Sequence, residues 1–186
     1  MVVCMNKAIG MVEYTTVSSG MQAADTIVKT AHVEIIEAET VCPGKYMVLF
    51  AGDLSAVKAA LDACKTKYPA KLIDSFLLGN PHPDLLPAIC GVTAVDEVEA
   101  LGVFETYSAA AAVVAADNTV KTSMVRLIEV RLARGMCGKS YVMITGDIAA
   151  VTAAIEKAKK ESADTGMYLD SVIIPGPSKD LWKNIL

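Results

Sequence analysis

The chain has 186 residues, enough for one large domain or two small ones, and 53% of them are hydrophobic, so it can bury a substantial core. The net charge of -4 and a sequence pI near 5.2 come with no basic stripe, which argues against a nucleic-acid partner. No apolar run approaches the roughly 18–20 residues that span a bilayer; the longest, Ala109–Ala116, is Ala-rich and short, and Met1–Lys7 lacks the charged-then-apolar order of a signal peptide. The cysteines (Cys4, Cys42, Cys64, Cys90 and Cys137) are odd in number and widely spaced, with no C-x-x-C pair, so a reducing cytosol fits better than a disulfide framework. No metal motif of the clustered kind occurs within one chain.

In chain order, Ala8–Tyr14 predicts a short apolar strand, and Ser18 or Ser19 is placed to cap a helix that runs to about Thr30. His32–Val41 is rich in β-formers, alternates at Val33 and Ile35, and breaks at Cys42-Pro43-Gly44. Tyr46–Ala51 is a continuous apolar strand. Gly52-Asp53 then turns the chain, and Asp53 is placed to cap a second helix from Leu54 to about Lys67. Leu72–Leu78 is a further strand, and a Pro-rich turn leads into a short helix, Asp84–Ile89.

The remainder says the same thing again. AIGMVE at Ala8–Glu13 returns as ALGVFE at Ala100–Glu105, and AADTIVKTAHVEIIE at Ala23–Glu37 returns as AADNTVKTSMVRLIE at Ala115–Glu129. Gly44–Leu61 returns as Gly138–Ile155, and Leu72–Ile89 returns as Tyr168–Ile185. The match runs through nearly all of each half, so a whole domain has been duplicated rather than a small solenoid unit. The first copy is assigned to residues 1–90, a linker to 91–98 and the second copy to 99–186. The order β-α-β-β-α-β plus a helix, present twice, predicts an α/β fold: two α+β sandwiches, each with its helices on one face of a mainly antiparallel sheet.

Topology of this kind does not specify function, but the local words are more particular. GDLSAVKAAL after an apolar strand, VKTA at the end of the first helix and DSFLLGNPHPDL closing the domain resemble bacterial microcompartment shell proteins, in both copies and over nearly the whole chain. A fused pair resembles the tandem-domain class, in which three chains form a pseudohexameric homotrimer. The segment TVCPGKYMVLFAGD is similar to the propanediol-utilisation members of that class, which are linked to an iron–sulfur cluster at the central pore. The resemblance implies a structural tile of the microcompartment shell, within the cytoplasm, in company with other shell proteins.

It also implies where chemistry would lie. The turn Cys42, Pro43, Gly44, Lys45 matches the pore-lining turn of the family, and the second copy supplies Met136, Cys137, Gly138 and Lys139. Pro43 fixes the turn and Gly44 permits an unusual backbone, which exposes the Cys42 thiol. In a trimer one Cys42 per chain becomes three around one axis. Three equivalent thiolates suit three irons of a [4Fe–4S] cluster, one per trimer, with the fourth iron left to solvent or a small ligand. Such a cluster would exchange electrons with a lumenal or cytosolic redox partner. The alternative is a small turn residue with no ligand. Cys137 sits in a longer turn without the Cys-Pro pair, where Arg134 aligns with Cys42; it faces the pore without being a ligand.

Lys29 and Lys121 align between the copies, each ending a first helix, where a lysine complements the helix C-terminus. The family implies a tile-edge role for both, although Asn80 and Gly176 replace the usual arginine partner. Cys4, Cys64 and Cys90 read as small packed residues, and His32 and His82 as surface or packing histidines. No acid, base and nucleophile set and no nucleotide-binding glycine motif is visible, so an enzyme is the least supported class. A plain tile with a metabolite-conducting pore and a ligand-binding regulatory α/β sandwich remain alongside the cluster-bearing tile.

Overall fold

The computed structural model describes residues 7–95 and 99–185. Cys4 and linker positions 96–98 lie outside the described residues. The chain divides into two compact units: Met1–Pro83 with Ala133–Gly138, and Asp84–Leu132 with Lys139–Leu186. The short helix that closes the first repeat therefore packs in the second unit, and the long turn of the second repeat packs in the first.

In the first unit, β1 (Ala8–Tyr14), β2 (Val33–Val41), β3 (Lys45–Gly52) and β4 (Leu72–Leu78) form an antiparallel sheet of order β2-β3-β1-β4. Helices α1 (Val17–Thr30) and α2 (Leu54–Lys67) cover one face. Side chains alternate across a strand, so Ala8, Val12 and Tyr14 of β1 meet Ala23 and Ile27 of α1 and Val57, Ala60, Leu61 and Cys64 of α2. Ile9, Met11 and Glu13 fall on the other face and are also buried. Gly20 of α1 lies so close to β3 that a Cβ would overlap Tyr46 Cβ.

The cap of α1 differs from expectation. It is Thr16, whose hydroxyl accepts from the Ser19 N–H, while the Ser19 side chain is taken up by a bond from the Thr16 hydroxyl. Asp53 takes the N-cap position of α2 but, against expectation, makes no side-chain cap bond.

The second unit repeats the plan. Helix α3 (Leu85–Ile89) packs on its β6 and α4. Strands β5 (Ala100–Thr106), β6 (Arg126–Arg131), β7 (Ser140–Gly146) and β8 (Tyr168–Ile174) take the order β6-β7-β5-β8, again antiparallel. Helices α4 (Ala109–Thr122) and α5 (Ile148–Asp164) are capped by Ser108 and by Asp147, which accepts from both Ala149 and Ala150 N–H groups. Trp182 of α6 (Lys179–Ile185) joins Leu101, Ile128 and Met143 in a core cluster. Both units carry the same irregularity: a bulge shifts the β2–β3 register between Ile35 and Glu37, and the β6–β7 register between Leu127 and Glu129.

Candidate functional site

The turn between β2 and β3 places Cys42 half-buried, with Pro43 and Gly44 exposed. The turn closes with a bond from Gly44 N–H to Val41 O of 2.9 Å, and Gly44 takes φ +96°, which a side chain resists and glycine does not. A Cβ at Gly44 would meet no atom within 4 Å, so the turn faces open space.

The second repeat's turn supports this one. The Cys42 N–H donates to Ala133 O at 3.2 Å. Ala133 is buried at φ +53°, a left-handed backbone that costs a non-glycine residue about 1 kcal/mol and persists only where its surroundings require it. Arg134 then pairs with Glu37 and Glu39 of β2. After the bulge these two carboxylates stand on one strand face two residues apart. Partial burial opposes the Arg134 charge, but Glu39 and Glu37 more than offset it and raise its pKa. Gly138, buried at φ +87°, completes the approach: a Cβ there would lie 3.1 Å from Cys42 O and 3.1 Å from Lys45 Nζ.

Lys45, expected among the pore-loop residues, turns its ammonium onto Glu13 at 3.0 Å. The Glu13 side chain is fully buried, and among the described residues its second oxygen, Oε2, has no hydrogen-bond partner. Burial raises the Glu13 carboxyl above the ordinary range, Lys45 opposes that, and Asp74 adds to it. A buried pair of this kind is weak evidence for stability but costly to break from one side.

Of the remaining predicted residues, Cys137 is exposed at φ +53°, and Met136 and Lys139 are half-buried. Lys29 and Lys121 end α1 and α4 as expected, but in different settings. Lys29 is 73% exposed and pairs with an exposed Asp25 at 2.7 Å; Lys121 reaches Asp117, whose side chain is only 2% exposed, at 2.5 Å. Cys64 is packed, donates to Ala23 O at 3.7 Å and has its thiol pushed up to about 11 by burial. Cys90 is exposed rather than packed, because it ends a five-residue helix at the surface.

Among the described residues, no three His, Cys, Asp or Glu side chains of one chain gather as a metal site. Sequence reasoning singled out Cys42 and its turn. It missed Glu13, Glu37, Glu39 and the role of Arg134. The available signal was the pair of acids at 37 and 39, where the second copy has Glu129 and Arg131.

Comparison with known proteins agrees with the duplicated architecture. The family model for the BMC domain matches residues 8–81 and again 100–177. Bacterial microcompartment shell protein PduT of Citrobacter freundii is 37% identical over 182 residues, covering 98% of this chain and 99% of that protein. Bacterial microcompartment shell protein PduA of Salmonella typhimurium is 42% identical over 81 residues, 42% of this chain and 86% of that protein. Among solved structures, a microcompartments protein from Desulfitobacterium hafniense is 41% identical, with a TM-score of 0.87 over 97% of this chain and 99% of that one. The fused permuted hexameric shell protein MSM0275 shares the fold, with a TM-score of 0.66 at 20% identity over 88% of this chain and 85% of that one. No helix among the described residues is long and apolar enough to cross a membrane. Two BMC domains in tandem, full-length similarity to a curated shell protein and a matching solved structure give one conclusion: the chain belongs to the bacterial microcompartment shell-protein family and is a structural component of that shell.

Proposed function

We propose that the chain forms a homotrimer, a six-domain pseudohexameric tile, in which one Cys42 from each chain lines the central axis and the three together hold one [4Fe–4S] cluster. The observation that carries this reading is the Cys42 turn itself. It is a half-buried thiol at the edge of open space, on a turn held by a second loop, in a chain whose described residues supply no companion ligands. Thiolates are the usual ligands of such clusters, and a lone thiol becomes a ligand set only when several chains contribute it. The residues fit the group to that extent: three Cys42 thiolates would hold three irons and leave one to solvent or a small external ligand.

When bound, the cluster would supply one-electron transfer across the shell, to a lumenal or cytosolic redox partner. The chain's own part would be to hold the thiols at the axis and shut the turn against rearrangement. This makes the protein a conducting shell component rather than an enzyme, in line with relatives that are shell proteins.

The test is anaerobic purification or reconstitution, with iron, sulfide and visible absorbance measured alongside the mass of the assembly in solution. A trimer with stoichiometric iron supports the reading. A trimer that binds no iron leaves a plain tile with a metabolite-conducting pore, and a monomer rejects the tile.

A further inference from the structure

We infer that Arg134 is the positioning residue for Cys42: by pairing with Glu37 and Glu39 it clamps the Ala133–Gly138 loop under the Cys42 turn and holds the thiol in place to bind metal. The inference rests on the proposed role of Cys42 as ligand, but its geometry is independent of any metal.

Three contacts come from one loop, two onto the turn and one onto the strand that leads into it. Ala133 O takes the Cys42 N–H at 3.2 Å. Arg134 engages Glu39 through Nε and Glu37 through Nη2, so two like charges on one strand face are joined by a single guanidinium. Gly138 brings the end of the loop against Cys42 O, where a Cβ would stand at 3.1 Å. The turn has a further tether, since Lys45 reaches the buried Glu13 at 3.0 Å.

The repeat shows that the clamp belongs to the first copy alone. The residues matching Glu37 and Glu39 are Glu129 and Arg131, which pair with each other at 2.7 Å, while Tyr141 donates to the other Glu129 oxygen at 2.7 Å. That strand needs no outside cation. Arg134, moreover, is the repeat counterpart of Cys42. The position that carries the thiol in one copy carries, in the other, the cation that anchors the thiol's turn. A bidentate guanidinium fixes both distance and angle, which an ammonium does not.

The experiment compares the full-length parent with Arg134→Ala, Arg134→Lys and the pair Glu37→Gln with Glu39→Gln. In the reduced, metal-free proteins, iodoacetamide labelling of Cys42 is followed by peptide mass spectrometry against the exposed Cys90 in the same sample, with amide exchange of the Cys42 peptide. The same proteins are then reconstituted with iron and sulfide without oxygen, and iron content and midpoint potential are read. Arg134→Ala should speed Cys42 labelling relative to Cys90 by about two- to fivefold, the range for loss of a partly exposed ion pair that closes a local contact. It should also speed exchange at the Cys42 amide, reduce iron retention and shift the potential. Arg134→Lys should restore part of each effect. The Gln pair should reproduce the effects should Arg134→Ala fail to fold. Unchanged Cys42 labelling and exchange in both the Ala and Gln proteins would overturn the inference, whatever the iron content. If the parent binds no iron yet Arg134→Ala still frees Cys42, the clamp stands and the cluster reading falls. If the parent binds iron and the variants keep both its amount and its potential, the clamp has no bearing on the metal and the inference falls.

Discussion

The two repeats share strand order, the length of the first helix and even the position of a bulge, yet their β-turns do opposite things. The first ends in Cys42-Pro43-Gly44, a short turn facing open space. The second is longer, carries Ala133 and Cys137 at positive φ, and folds into the first unit. The strands leading into them differ in charge: Glu37 and Glu39 against Glu129 and Arg131. One copy is electrostatically self-contained, and the other borrows its cation from the duplicate's turn. Duplication therefore relaxes a constraint that a single-domain hexamer imposes. Six identical turns must all be competent alone, whereas two different turns can divide support and chemistry between them.

The comparison can be strained first in the core, where the two copies solve one packing problem in two ways. Gly20 faces Tyr46 in the first copy, and the matching residues are Ala112 and Ser140. Gly20→Ala should destabilise the first unit by about 3 kcal/mol, since the added methyl meets the rigid Cβ end of Tyr46 rather than a movable tip. Adding Tyr46→Ser should recover part of that loss, despite the hydrogen bond from the Tyr46 hydroxyl to Ala38 O. A denaturant double-mutant cycle measures the coupling, and additive losses would show that the pair is not a compensated exchange.

The lysines sharpen it next. Lys121→Asp sets a second negative charge beside the buried Asp117 and should cost about 2 kcal/mol, below the range for a fully buried pair because Lys121 is 34% exposed. Lys29→Asp should cost under about 1 kcal/mol, since both members of its pair are exposed. Shell incorporation is therefore tested cleanly by Lys29→Asp, which should impair assembly with the thermal midpoint nearly unchanged. If Lys121→Asp is the milder of the two, the account of the two helix ends is wrong.

The smallest effect is pH-dependent. Glu13 has its carboxyl raised above 4.5 by burial, so the folded chain keeps a proton that the unfolded chain has released. The stability it contributes is fully present below the ordinary carboxylate range and is lost as pH rises through the raised value. Glu13→Gln cannot titrate. Its stability relative to the parent should therefore improve as pH rises through the acidic range above 4.5, and level off once the raised value is passed. Chemical denaturation of both proteins across that range measures the difference, and one that stays flat with pH would remove Glu13 as a titrating group.

Strand and helix spans were legible because apolar alternation and the repeat reinforce each other: Ala8–Tyr14, Leu54–Lys67 and Leu72–Leu78 stand as read. The cap at Thr16 was not, since Thr16, Ser18 and Ser19 are all competent caps and only backbone geometry chooses among them. The Cys42 turn was legible from Cys-Pro-Gly together with the family resemblance. Its support was not, because Arg134 lies 95 residues from Glu39 and 97 from Glu37, and pairing over such separations leaves no periodic trace. Glu13 was hidden for a related reason: a glutamate inside an apolar strand reads as an exposed face until the sheet shows it to be buried.

The central claim is that Cys42, and not its counterpart loop, holds the metal. The direct measurement is iron per trimer after anaerobic reconstitution of the parent, Cys42→Ser and Cys137→Ser, each verified as the same assembly by native mass. The parent and Cys137→Ser should each carry about four irons per trimer with a broad visible absorbance, and Cys42→Ser none. Stoichiometric iron in Cys42→Ser, or an iron-free parent, would contradict the account.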